Sequence, residues 1–338
     1  MWRDMNKRCY AAFGIMTVLL IAAVYLNFIT GSVSIAPDEV FAALFGKGAD
    51  AMQSNVVTAI RLPRIAAAFI LGGALALAGY MLQTFFDNPI VGPFVLGISS
   101  GAKLTVALSL IFFMARGNKP GSLFLVGSAF IGAIAAMALV LLLSIRVRSM
   151  GILVVCGIMI GYICSAITDL VVTFADDANI VNLHNWSMGS LSGMNMTDVG
   201  IMTVIIGICL MASVFLIKPI GAYRLGEAYA GSGGVNIILL RIMLILISSL
   251  LAATVTAFAG PISFVGIAVP HLLRGMTKTS EPGVMIPGCF MLGALVTLVC
   301  DNLARTVFAP TEVSISSVTA VLLVPVVIAV MIKRKSRT

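Results

Sequence analysis

The sequence predicts an all-α, polytopic membrane protein with about ten transmembrane helices, and three observations carry that prediction. Its residues are 60% hydrophobic and 10% charged, where a soluble domain holds roughly 25% charged residues. The mean hydropathy is +1.11. Long uncharged runs, each near the roughly 20 residues that cross a bilayer, alternate with short polar connections. No large soluble domain fits between them, so residues 1–338 read as a single transmembrane domain.

Taken in order, the charged start through Arg8 and the apolar run 10–30 imitate a secretion signal. The run is too long for one and lacks a small-residue cleavage site, so it reads as a retained first span. The second run, 65–86, contains Gly72, Gly73, Ala74, Ala76, Ala78 and Gly79, small residues of the kind that let helices pack closely in lipid. Further spans are expected near 94–115, at 121–145 and near 151–173, the last marked by Gly157-x-x-x-Gly161. After a polar stretch comes a sixth span at 199–217. The segment 218–241, KPIGAYRLGEAYAGSGGVNIILLR, is the most polar in the interior of the chain and is expected to form a loop with one short helix outside the bilayer. The run 242–273 is too long for one span, and Gly260-Pro261 breaks it into a seventh and a short eighth. A ninth is expected near 282–300 and a tenth at 313–332.

An even number of spans places both termini on one side, and the basic residues choose the side. With the N-terminus inside, the inner segments hold Arg3, Lys7, Arg8, Arg146, Arg148, Lys218, Arg224, Arg241, Arg274, Lys278, Lys333, Arg334, Lys335 and Arg337, most of the 21 Lys and Arg. The outer segments hold Lys47, Arg61, Arg64, Arg116, Lys119 and Arg305, together with acids such as Asp38, Asp50, Asp176, Asp301 and Glu312. Both termini and segment 218–241 are therefore expected in the cytoplasm. The net charge of +8 then reflects orientation in the lipid bilayer, and no nucleic-acid partner is called for. Two ionisable residues fall within spans. Lys103 is expected near mid-membrane, bonded to helix-end carbonyls or facing an aqueous passage, and Asp169 near the outer mouth; about 14 Å of helix rise separates their depths, which makes them poor partners. His184 reads as an exposed loop residue and His271 as structural. The six cysteines lie in or beside apolar runs without metal-ligand spacing and are expected as free thiols.

No G-x-x-x-x-G-K-[ST] segment is present, and the nearest approach, GISSGAK at 97–103, has the wrong spacing. Any nucleotide chemistry must belong to another polypeptide. Five ordered stretches then resemble one family, the permease subunits of ATP-binding-cassette importers for iron–siderophore complexes, haem and vitamin B12. Residues 61–103, RLPRIAAAFILGGALALAGYMLQTFFDNPIVGPFVLGISSGAK, are similar to its R-L-P-R opening, small-residue helix, N-P turn and L-G-I-S-S-G-A segment. Residues 186–191, WSMGSL, resemble W-x-x-G-S-L. Residues 226–236, GEAYAGSGGVN, resemble G-x-x-x-A-x-x-L-G-V, with Gly233 in place of leucine. Residues 260–274, GPISFVGIAVPHLLR, resemble G-x-I-x-F-V-G-L-x-x-P-H-x-x-R. Asp301, Arg305, Pro310, Glu312 and Thr319 fall where D-x-x-A-R and P-x-E-x-P-x-x-x-x-T would put them. The chain departs from the pattern at 277–283, TKTSEPG, and at 323–326, LVPV.

The resemblance implies a type II importer permease fold. It implies two permease subunits, identical or related, above two cytosolic ATPases and below an extracytoplasmic substrate-binding protein, in a bacterial cytoplasmic membrane. This chain would bind no cofactor itself; ATP and Mg would be used by the partner ATPase subunits. Within about 222–234, Arg224, Gly226, Glu227, Ala230 and Gly234 would form the helix that couples to the ATPase, the two charges making interfacial ion pairs. Arg61, Arg64 and Arg305 would receive acidic residues of the binding protein, a task suited to guanidinium forks. The passage would follow the helix at 151–173, with Ser149, Met150 and Gly151 near its gate and Lys103 as a further lining candidate. The expected cargo is a ferric siderophore, with haem or cobalamin as alternatives. An ion-driven secondary transporter would need acids at mid-membrane, where only Asp169 comes near, and an intramembrane enzyme would need a His/Glu or paired-Asp constellation that the spans lack.

Overall fold

In lipid a backbone must satisfy its own hydrogen bonds, and for runs of this length the helix does so. The computed structural model describes residues 2–31, 35–45, 51–114, 121–147, 149–309 and 311–335, and among these there is no strand. Lys47, Asp50, Arg116, Lys119, Arg148, Pro310 and Arg337, named above for charge or motif, lie outside the described residues.

The chain begins with α1 (Trp2–Ile29), α2 (Pro37–Phe45) and α3 (Ala51–Asn55), and a π-helical segment Val56–Arg61 leads without a break into α4 (Leu62–Phe86). A 3-10 turn, Pro93–Leu96, precedes α5 (Ile98–Met114), α6 (Ser122–Arg146), α7 (Met150–Thr173) and α8 (Asp177–Ser187). Then come α9 (Met196–Phe215), α10 (Ile217–Tyr223), α11 (Glu227–Ser232), α12 (Ile237–Ala259), α13 (Val265–Thr277), α14 (Pro282–Thr306) and α15 (Ile315–Lys335). Among the described residues, 7 helical segments are long and apolar enough to cross a membrane. The shorter apolar helices Ile98–Phe113 and Ile315–Ala329, with α13, supply the rest of the expected spans, so "about ten" is an approximate count.

The axis of the bundle is α4, against which α12, α13 and α14 pack. Most of the residues of α4 are buried, whereas few of those of α7 are. Small residues make this central position attainable, because backbone meets backbone. A Cβ added at Gly79 would stand 1.8 Å from the Gly266 carbonyl oxygen of α13, and one at Gly293 of α14 would stand 2.4 Å from the Gly72 carbonyl oxygen. Beside them Phe69 and Phe290 meet edge to face at 5.9 Å.

The motif segments serve as joints of this bundle. After α4, the turn at Pro89 is held by His271, whose Nε2 lies 2.8 Å from the Pro89 carbonyl oxygen, and Gln83 donates to the Ile267 carbonyl at 3.2 Å. At the break between α12 and α13, the Ser190 N–H donates to the Ala259 carbonyl at 2.8 Å and the Ser316 hydroxyl donates to the Pro261 carbonyl. The WSMGSL turn, the Gly260-Pro261 break and the start of α15 thus lock together.

Three expectations need correcting. The segment 218–241 is not mainly loop: it holds α10, α11 and the start of α12, whose Asn236 cap accepts the Leu239 N–H at 3.0 Å. The second span starts well before residue 65, because helix continues through residues 51–86. The ninth runs past residue 300 to Thr306, carrying Asp301 and Arg305 on its last turns. In both spans the physical reason is the same: charges that would end a span are satisfied inside the bundle, by one another or by backbone carbonyls, so they do not stop the helix.

Candidate functional site

Two ends of the bundle carry the polar chemistry. At one, the C-terminus of α1, the start of α4, the last turns of α14 and the entry to α15 converge. Arg64, one residue after the N1 proline region of α4, lies with Nε 3.1 and 3.2 Å from the two Asp301 oxygens and Nη2 2.9 Å from Oδ1. Its Nη1 lies 3.0 and 3.1 Å from the two oxygens of Glu312. Asp301 is shared: Arg305 Nε lies 3.2 Å from its Oδ2. Arg305 also donates to the Asn27 side-chain oxygen, while the Asn27 amide donates to the Leu298 carbonyl at 3.2 Å, tying α1 to α14. Arg61 donates to the carbonyl oxygens of Phe28 and Ile29.

The three arginines that the resemblance assigned to docking are thus buried and engaged within the chain, Arg61 at 4%, Arg64 at 7% and Arg305 at 6% exposure. Their acidic partners stood in the sequence as motif positions without a role. Asn27 was not singled out, although a lone amide in an apolar run is the kind of signal that marks a buried polar contact.

At the opposite end, α10 and α11 form a hairpin before α12. Gly226 at φ 120° opens α11 and Gly234 at φ 84° lets the chain leave it, conformations that a residue with a Cβ resists. The Glu227 carboxylate accepts the Tyr223 O–H at 3.0 Å and pairs with Arg241 of α12. Burial pushes the Tyr223 phenol above its ordinary range; Glu227 also raises it and hydrogen bonding with Arg241 opposes the rise. Of the sequence candidates, Arg224, Gly226, Glu227 and Gly234 are exposed and Ala230 is fully buried beneath α11. Glu227, expected to reach across an interface, is paired internally. The large apolar groups on this polar hairpin, Leu225 at 70% and Tyr229 at 61% exposure, were missed.

The gate candidates lie at the N-terminus of α7. The Ser149 side chain caps it, accepting the Ile152 N–H at 3.5 Å, Met150 is half-buried, and Gly151 is exposed. Lys103 is half-buried on α5 and Asp169 exposed on α7, with no ion pair between them among the described residues. The described residues hold no cluster of His, Cys, Asp and Glu that would bind a metal.

The sequence pattern of the FecCD transport family matches residues 19–333. Among curated proteins, the chain is 32% identical over 321 residues to the vitamin B12 import system permease protein BtuC of Citrobacter koseri, covering 95% of this chain and 93% of that one. It is 31% identical over 323 residues to the protein of the same name from Salmonella typhi, covering 94% of each. Among solved structures, one assigned to a metal-chelate type ABC transporter in an inward-facing conformation superposes with a TM-score of 0.84 at 28% identity, over 96% of this chain and 99% of that one. PsaBC from Streptococcus pneumoniae, at 15% identity and a TM-score of 0.56, shares the fold.

Proposed function

The chain belongs to the FecCD transport family and is a permease of an ATP-binding-cassette importer, and on that premise we propose that it passes a metal-centred organic chelate, a ferric siderophore, into the cytoplasm. Cobalamin is the second reading, favoured by the names of its 31–32% identical relatives. A second permease subunit, two cytosolic ATPases using ATP and Mg, and an extracytoplasmic binding protein complete the machine, in a bacterial cytoplasmic membrane with both termini inside.

The observation that carries this reading is the division of the molecule's polar chemistry. An arginine cluster sits at one end of an apolar bundle, and a glycine-flanked helix with exposed Leu225 and Tyr229 sits at the other. A lone apolar pair on a polar hairpin is an anchor for a soluble partner, since aromatic residues seated in a pocket supply most of an interface's affinity. The α10–α11 hairpin is therefore the coupling element: Arg224, Gly226, Glu227, Ala230 and Gly234 shape it, and Leu225 and Tyr229 seat it on the ATPase. The arginine end receives the binding protein through Arg61, Arg64 and Arg305. The passage runs along α7, with Ser149, Met150 and Gly151 at its inner end and Lys103 near its wall. Binding protein and nucleotide each favour one orientation of that passage, which is alternating access.

The test is uptake of labelled ferric siderophore, haem and cyanocobalamin into cells or proteoliposomes carrying the whole complex. ATP-dependent uptake that survives collapse of the proton gradient, and that falls about tenfold or more in Tyr229→Asp, is expected. Uptake that follows the gradient instead overturns the motor-driven reading, and ATP-driven uptake of cyanocobalamin alone moves the cargo to the second reading.

A further inference from the structure

Arg64 divides its guanidinium between two acids in unlike surroundings. The Asp301 side chain is 1% exposed and is gripped on its other side by Arg305; the Glu312 side chain is 41% exposed and is held by Arg64 Nη1. The backbone beneath Glu312 is anchored, the Val313 N–H donating to the Ala304 carbonyl at 3.0 Å, so side-chain rotation alone takes the carboxylate off Arg64 into water. Two further guanidiniums stand close by: Arg61 and Arg305 converge on Gly31, with nitrogens 3.3 and 3.7 Å from where a Cβ there would stand. Neighbouring like charges are stabilised by an anion that reaches them.

We propose that Glu312 is an internal competitor for docking: in the undocked chain it occupies the outward N–H edge of Arg64, and an acidic side chain of the extracytoplasmic binding protein displaces it. This rests on the docking reading above. The exchange replaces one charge-assisted bidentate contact by another, so the net gain on docking is smaller than the new contact alone would give. When the binding protein has delivered its cargo, Glu312 returns to Arg64 and speeds release. A transporter that must let go of its delivery protein once per cycle gains turnover from such a weakened grip.

The experiment measures binding-protein association with the whole transporter in nanodiscs. Glu312→Gln is expected to tighten binding about fivefold, chiefly by slowing dissociation, and Glu312→Asp, which keeps the charge but withdraws it by one methylene, to tighten it less. Asp38→Asn, the same change of charge on nearby α2, is expected to do little. When the acidic residues on the binding protein's docking face are changed to Gln, the advantage of Glu312→Gln disappears. Unchanged or weaker binding by Glu312→Gln, while the partner's acidic residues still matter, overturns the competitor and leaves the docking reading standing. Equal tightening by Asp38→Asn also overturns it, since a general field would then suffice. If changing the partner's acidic residues leaves binding to the unaltered transporter intact, it is the docking reading that falls.

Discussion

Asp301 is the single residue on which the arginine end turns, because it is 1% exposed and touches two guanidiniums. Removing it by Asp301→Ala leaves buried Arg305 with no acid partner among the described residues and Arg64 with Glu312 alone, and breaking a buried pair from one side typically costs about 3–5 kcal/mol. Arg64→Ala leaves Asp301 still paired with Arg305 and should cost less, and Glu312→Gln, at the water edge, about 1 kcal/mol or less. The order Asp301→Ala, then Arg64→Ala, then Glu312→Gln is expected in thermal unfolding of the detergent-solubilised protein; a Glu312 variant as damaging as the Asp301 variant would contradict the division drawn here. The sequence made each of these residues visible as a motif position. It left their pairing hidden, since Arg64 and Asp301 stand 237 residues apart and nothing local in either segment names the other.

At the scale of the element, the close approach of α4 and α13 makes the sharpest prediction. Gly79→Ala places a methyl 1.8 Å from the Gly266 carbonyl oxygen, a backbone atom that moves only if the helices part, so the loss should exceed the roughly 1–3 kcal/mol of ordinary overpacking. Gly207→Ala on α9 has nothing within 4 Å of the new Cβ and should be neutral or stabilising by up to about 1 kcal/mol through helix propensity. The thermal midpoint should therefore fall in the Gly79 variant and hold or rise in the Gly207 variant. The α10–α11 hairpin offers a test by pH. Its Tyr223 phenol has a raised pKa, so the hydrogen bond to Glu227 contributes below pH ~10 and is lost as pH rises through the folded value, above the ordinary 10. Alkaline difference spectra against Tyr223→Phe should place that phenol's ionisation above pH ~10. Most helices here were legible from uncharged length alone, because in lipid the apolar run and the helix coincide. What length could not reveal was where a charge fails to end a span, as at Arg61 and Asp301, or where a polar stretch folds into short helices, as at α8, α10 and α11. Partners decide those cases, and partners are a property of the fold.

At the scale of the whole molecule, α7 and α9 pose a contrast that only a larger assembly resolves. Both are mostly exposed in the isolated chain, yet their outward stripes differ. On α9 the stripe reads Val204, Ile208, Met211, Phe215, wholly apolar, as hydrocarbon requires. On α7 the outward surface also carries Ile152, Met159, Ile163, Ile167 and Leu170, but beside them a stripe reads Gly151, Tyr162, Ala166, Asp169, Thr173, all exposed, with a carboxylate near the end of the helix. A charge facing acyl chains is unfavourable, so this stripe is expected to face water or a second permease subunit, with the Gly151 gate candidate and Asp169 on one wall. The two faces can be told apart chemically in the assembled transporter. In a background with Cys9, Cys156 and Cys164 replaced by serine or alanine, Ala166→Cys should react with a membrane-impermeant thiol reagent, more slowly when the binding protein is docked, while Ile208→Cys should stay unreactive. Thiolate forms only where water reaches, so reaction at 208 and silence at 166 would turn the molecule round, placing lipid against α7 and the passage elsewhere.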